Sequence, residues 1–477
     1  MISLLQRRKK SFFDKFFSFQ CLFIAHILFF LFCLLADVSG QTNVAQASIK
    51  VIEDSIYQEI VGWEAVAWIG QDDHLQNYKL WQDEVLDKAA FELGINRLRV
   101  SVFSGYENPV DYFDSYLKGE ITYQEWEKHR FEIINDDIDP YHINPEGFQF
   151  SRLDFWMESV VLPMKKRLEK KGEKLFINLC YVDFGVSDFE HKTSALDYGE
   201  FVLATYLHLK EKYGIEPDAW EVILEPDMPA ANWSPLQIVD AIRIAANRLE
   251  EHGFTPRFIA PSCTSVKNAI SYFDKMVVFP DFRKYLFEFS YHLYRYPTKE
   301  NRIAIGKRAK RYHIRTAQLE KIAATYHDLH DDLKLAQVSS WQQFTLCHPT
   351  EDNGAQYYWI DLNSSSQPKV NTGLRTHYLR LYFHYIHRGA HRIGAVTNNP
   401  DFDPLAFKNP DGSLVVVIRC FTPGKLSLEH LPEGTYGIVY CGHKRYNVSL
   451  PDFYLQAGTA LETSVPRSGV ITIYQKK

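Results

Sequence analysis

From residue 63 to about 346 the chain alternates short apolar runs with longer stretches whose apolar positions recur every three to four residues. The first pattern predicts strands and the second amphipathic helices. In order, the strand-like runs are WEAVAWIG, INRLRVSVF, KLFINLCYV, AWEVILE, RFIAPS, FEFSYHLY, IRTAQLE and AQVSSWQQF. Between them lie FWMESVVLPMKKRLEKKG, SALDYGEFVLATYLHLKEKYG and SPLQIVDAIRIAANRLEEHG. The last two close on Gly and the last opens on Ser-Pro, the asymmetry expected of helix caps. Eight strand-helix repeats predict a closed parallel (β/α)8 barrel, a TIM barrel of the α/β class, with chemistry at the C-terminal ends of its strands.

After the helical HYLRLYFHYIHRGAHRI the period changes. LAFKNPDGSLVVVIRC, GTYGIVYCG and GVITIYQKK alternate over short lengths and are separated by turn residues, which predicts an all-β module. The early run ASIKVIEDSIYQEIVGW also reads as strands, and joining that module would give it a sheet to pair with. The expected organisation is an N-terminal targeting segment at 1–40, strands of the β module at 41–62, the barrel at 63–372 and a β-sandwich at 373–477.

The N-terminus changes the picture of where the protein works. Arg7, Arg8, Lys9 and Lys10 precede an apolar run from Cys21 to Ala36, and small residues end at Gly40. That order is a secretory signal, or an uncleaved anchor through residues 16–36, since the run falls between the lengths of the two. Either way the folded part is exported, secreted or extracytoplasmic, with a membrane as partner only if the segment stays. The formal charge of −6 and the absence after residue 40 of a basic, aromatic-interleaved stripe give no reason to expect nucleic acid. Aromatics make up 15% of the chain, which suits ring stacking on apolar faces. Cys180, Cys263, Cys347, Cys420 and Cys441 give no readable disulfide framework; Cys420 and Cys441 either pair or remain isolated thiols.

Chemistry enters through two glutamates. Glu225 closes AWEVILE and Glu320 closes IRTAQLE, so both fall at C-terminal strand ends, whereas Glu216 of the repeated Glu-Pro-Asp precedes its strand. Two carboxylates across a barrel mouth are what glycosidic bond cleavage needs, one to protonate the leaving oxygen and one to attack or to activate water. A pair of solvated loop carboxylates is the ordinary alternative. No phosphate loop or dinucleotide fingerprint is present, and the chemistry calls for no metal or organic cofactor. His327 and His330 in YHDLHDD read as a solvated helix face rather than a metal site. NWS, NSS and NVS at Asn232, Asn363 and Asn447 match glycosylation acceptors.

These residues fall in the order of a known pattern. WEVILEP at Trp220–Pro226, Arg99 in NRLRVSV, His292 and Tyr294 in SYHLY, Glu320 and Trp341 in SSWQQF resemble glycoside hydrolase clan A, most closely family 30 and its relatives. The resemblance implies a retaining hydrolase of a β-linked oligosaccharide or polysaccharide, with Glu225 as acid/base and Glu320 as nucleophile. It further implies that Arg99 and Tyr294 favour ionised Glu320, that His292 lines the mouth, and that Trp341 offers a floor for a sugar ring. Each has an ordinary alternative: a structural ion pair for Arg99, a core-edge ring for Tyr294, packing for Trp341 and a satisfied core histidine for His292. The departure is Leu224, where the clan carries an Asn that hydrogen-bonds the sugar's 2-position. Gln318, Asn178 and Asp183 at nearby strand ends are the candidate substitutes, and loss of turnover, leaving a carbohydrate-binding protein, is the rival reading. An inverting hydrolase would hold the carboxyl groups farther apart. The insertion SGYENPVDYFDSYLKGEITYQEWEKHRFEIINDD after the second strand is expected to shape the cleft.

Overall fold

The computed structural model describes residues 44–363 and 367–477; the basic and apolar N-terminal segment lies outside them, as does part of the NSS acceptor. Among the described residues no helix is long and apolar enough to cross a membrane. Strand β1 (Ala45–Glu59) belongs to a second sheet. The next eight strands are β2 (Gly62–Val66), β3 (Arg97–Phe103), β4 (Phe176–Val182), β5 (Ala219–Glu221), β6 (Phe258–Ser265), β7 (Leu286–Arg295), β8 (Arg315–Glu320) and β9 (Val338–His348). They pair in parallel in sequence order, and β9 pairs with both β8 and β2, which closes the barrel. Every residue of β4 and of β6 is buried, as strands covered on both faces require.

Two details differ from the sequence pattern. AWEVILE is a ladder strand only over Ala219–Glu221; the chain then rises through an irregular turn that leaves Glu225 in the left-handed region, at φ +50°. A second pair of strands, β10 (Gln356–Asp361) and β11 (Lys369–Thr372), extends the sheet from the end of β9. QYYWID is rich in aromatic and β-branched residues, but it is too short to show a period.

The remaining strands are β12 (His391–Thr397), β13 (Phe402–Lys408), β14 (Leu414–Cys420), β15 (Gly424–Glu429), β16 (Gly434–Gly442), β17 (Arg445–Leu455), β18 (Leu461–Val465) and β19 (Gly469–Gln475). With β1 they form one sheet in the order β17-β16-β19-β14-β13-β12-β1-β15-β18. The N-terminal strand therefore lies inside the C-terminal module, antiparallel to β12 from Ile49 opposite Thr397. The NPDG turn between β13 and β14 places Gly412 at φ +85°, where a side chain would be strained. The helix Leu374–Phe383 bridges the two modules: Phe383 stacks on Trp63 of β2 with ring centroids 4.4 Å apart, and Leu381 O accepts from Thr472 Oγ1 of β19.

One alternative is decided here and one expectation is corrected. All five described cysteines are free and buried, so Cys420 and Cys441 are isolated buried thiols rather than a pair. His330 is not on a solvated face: it is buried beneath the β module, with Nδ1 2.9 Å from the Tyr382 hydroxyl and Nε2 3.4 Å from Asp403. Burial pushes its pKa down to about 4. His327, one turn earlier, is exposed.

Candidate active site

The mouth is built by residues that alternate along strands. On β7, Glu288, His292 and Tyr294 point to the interior, while Tyr291 between them points outward to Asp332. A shift in the β7–β8 register sets His292 opposite Glu320. The Tyr294 hydroxyl therefore donates to Glu320 Oε1 at 2.8 Å, and His292 Nδ1 lies 2.9 Å from Glu225 Oε1.

Glu225 reaches the mouth because its turn is held at two points. Leu224 N still donates to Tyr181 O of β4. Two residues beyond Glu225, the Asp227 carboxylate accepts from Thr264 N, Thr264 Oγ1, Ser265 N and Asn268 Nδ2 at the end of β6 and the start of the following helix. A left-handed glutamate immediately before proline is a strained backbone position, and such positions concentrate at functional sites.

Glu320 accepts one bond on each oxygen, from Tyr294 and from Arg99 Nη1 at 2.8 Å. Arg99, on β3, is itself gripped by Glu221 of β5: Nε lies 2.9 Å from Oε2 and Nη2 donates to Oε1 at 3.1 Å. Below this layer Arg97 donates to Glu64 and bidentately to Glu288, and Asn178 Nδ2 reaches both Glu64 and Glu221. The barrel interior is thus a continuous chain of buried charges from Glu288 up to Glu320. Burial pushes the Glu64 carboxyl up, against the opposing pull of Arg97, while burial and Glu320 push the Tyr294 hydroxyl up, keeping it a donor.

The structure brings Glu225, Glu320, Arg99, His292 and Tyr294 together. It does not bring Trp341 there. Ser340 of β9 faces the interior, bonded to Glu288, so Trp341 one residue on faces the helices. Its indole is fully buried, donates to Asp332 Oδ2 at 3.0 Å and packs edge-on against Phe383. Gln318 pairs in register with Tyr291 and Trp341 and shares their outward face, away from the mouth. Asn178 lies in the barrel interior on Glu64 and Glu221, and Asp183 is buried, accepting from Ser104 Oγ and Gly185 N. Leu224 is half-buried against the apolar core. The sequence reading passed over Glu221, Glu64, Arg97 and Asp227; Arg97 and Arg99, two apart on one strand, are the signal that charged residues share the interior face.

One nitrogen or oxygen from each of Glu225, His292 and Glu320 lies within 4.8 Å of the other two, the one grouping among the described residues with ligand spacing for a metal ion. These atoms are already engaged. His292 Nδ1 meets Glu225, both Glu320 oxygens hold donors, and a cation there would face the Arg99 guanidinium. The arrangement suits proton and carboxylate chemistry better than ligation.

A closed parallel barrel with facing glutamates at its C-terminal mouth, joined to an antiparallel sheet that takes in the N-terminal strand, has the architecture of the clan A glycoside hydrolases. Residues 389–419 match the family model of the glycosyl hydrolase family 30 beta sandwich domain. Among solved structures, the chain is similar to the catalytic domain of GH30 xylanase C from Talaromyces cellulolyticus, with TM-score 0.67 and 15% identity over 90% of this chain and 100% of that one. A GH30 endoxylanase from Clostridium papyrosolvens C71 aligns with TM-score 0.63 and 14% identity, over 91% and 100% of the two chains. The endo-beta1,6-glucanase BT3312 aligns with TM-score 0.63 and 13% identity, over 90% and 94%. No curated protein sequence matches the chain.

Proposed function

We propose that the protein is an exported retaining glycoside hydrolase that cleaves a β-linked glycoside or polysaccharide by double displacement. The observation that carries this reading is the approach of Glu225 and Glu320, which offer oxygens within 4.8 Å of one another. Retaining enzymes hold their carboxyl groups about 5–5.5 Å apart, and inverting ones about 6.5–9.5 Å apart to admit a water. The two environments divide the labour. Glu320, fixed by one donor on each oxygen, attacks the anomeric carbon; Glu225, beside the His292 ring, gives its proton to the glycosidic oxygen, which leaves as an alcohol. A water then loses a proton to Glu225 and attacks the same carbon, releasing Glu320 and restoring the original anomer. Export is supported by the basic block and apolar run of residues 7–36.

Leu224 favours a second reading, a carbohydrate-binding protein on the same barrel without turnover, because leucine cannot hydrogen-bond the sugar's 2-position. The test is hydrolysis of a panel of aryl β-glycosides and polysaccharides by the wild type and by Glu320→Gln. Turnover that disappears in the variant while sugar binding persists supports the hydrolase. A wild type that binds sugar and turns over none of the panel supports the binder.

A further inference from the structure

The interior charges raise the question of how one guanidinium serves two carboxylates. Arg99 is 2% exposed and Glu221 is fully buried. Glu221 takes the Nε and Nη2 side of the fork and leaves Nη1 for Glu320. A two-pronged guanidinium–carboxylate pair fixes orientation as well as adding energy, so Glu221 determines where Nη1 points. Glu221 is in turn held by Asn178 Nδ2, 3.3 Å from Oε2. The other titratable groups facing this pair are Glu64 from below, Cys180 level with Glu221 and 3.3 Å from Arg99 Nη2, and Tyr294, His292 and Glu225 at the mouth. Burial holds the Cys180 thiol well above its ordinary range, so it adds no charge.

We propose that Glu221 is a positioning residue that sets how strongly Arg99 acts on Glu320. By sharing the positive charge, Glu221 keeps Glu320 oriented without neutralising it, and so leaves electron density for attack on the anomeric carbon. The proposal rests on the reading of Glu320 as nucleophile. An amide at position 221 accepts only on its oxygen and carries no charge, which frees one edge of the fork and concentrates the guanidinium on Glu320.

The test is the pH profile of kcat and kcat/KM for Glu221→Gln and Glu221→Asp, measured beside Glu320→Gln on a glycoside that the wild type hydrolyses. Glu221→Gln is expected to lower kcat by about ten-fold or more with little change in KM, and to move the acid limb of kcat/KM to lower pH by about one unit, because a like charge near Glu320 has been removed. Glu221→Asp keeps the charge but retracts it by one methylene. It is expected to keep the wild-type acid limb and lose several-fold in kcat. A purely structural role would lower stability without moving the limb. A folded Glu221→Gln with the wild-type limb and kcat overturns the proposal; if that variant does not fold, wild-type kcat in Glu221→Asp overturns it. Hydrolysis retained by Glu320→Gln would remove the nucleophile reading itself. An inactive Glu320→Gln beside a wild-type-like Glu221→Gln would remove this proposal alone.

Discussion

Replacing Trp341 by phenylalanine keeps an apolar ring behind the barrel wall but removes the indole N–H and part of the ring's volume. That N–H donates to Asp332 Oδ2 at 3.0 Å, while Arg302 Nε and the Tyr291 hydroxyl serve Oδ1 at 2.7 and 3.0 Å. Burial already pushes the Asp332 carboxyl up to about 6, against the pull of Arg302. A hydrogen bond to a charged group contributes about 1.5–3 kcal/mol, and the smaller ring adds on the order of 1 kcal/mol of cavity cost. The expected loss is therefore about 2.5–4 kcal/mol, read from equilibrium urea unfolding as a lower midpoint at unchanged slope. The loss should also depend on pH. The folded value of Asp332 lies above its ordinary one, so the group's contribution is fully present at low pH and is lost as pH rises through about 6. Removing a donor to the charged form enlarges that loss, so the variant's penalty is larger at pH 8 than at pH 5. On any hydrolysed glycoside KM should stay at the wild-type value. A KM raised several-fold with an unchanged midpoint would refute the placement and restore Trp341 to the sugar site.

Three further outcomes are expected. His330 is held near 4, below the ordinary histidine range, so the unfolded chain takes up its proton first as pH falls from 6.5; stability should fall by up to about 3 kcal/mol between pH 6.5 and 4, and His330→Gln should flatten that part of a melting-temperature profile. Arg99→Lys offers one point charge where three bonds to two carboxylates are made, and kcat should drop by about a hundred-fold with the fold retained by circular dichroism. Asp227→Ala removes the four bonds that pin the Glu225 turn; kcat should fall by about ten-fold or more although Asp227 touches neither carboxylate, and an unchanged kcat would show that the turn holds itself.

The barrel was legible because parallel strands buried on both faces are continuous apolar runs, and eight such runs can be counted and ordered. The strand-end position of Glu320 followed from that count and the shared mouth from barrel closure, whereas Glu225 sits in the irregular turn beyond β5 rather than at the end of a ladder strand. What could not be read was facing. In a strand that is buried on both sides and mixes polar with apolar residues, WQQF does not say whether Trp341 points to sugar or to helix; that depends on the parity set by Ser340 and on register shifts between neighbouring strands. The same ambiguity hid the interior chain of Glu64, Arg97, Asn178, Glu221 and Glu288, since charged residues in a strand ordinarily mark a solvent face. His330 was misread for another reason. Its helix has a polar pattern, and only the docking of the β module, which brings Asp403 and Tyr382 over it, makes that face an interior.

The central claim is that Glu320 forms a covalent bond to the sugar, and trapping that bond tests it most directly. The wild type would be incubated with 2-deoxy-2-fluoro glycosides carrying a good leaving group, in the sugar series it hydrolyses, then digested and mapped by mass spectrometry. The fluorine slows the second displacement more than the activated first one, so a glycosyl ester accumulates if the mechanism is double displacement. The account predicts one glycosyl adduct, on the peptide containing Glu320, absent from Glu320→Gln. An adduct on another carboxylate, or hydrolysis of the parent glycoside to an inverted product with no adduct, would contradict it.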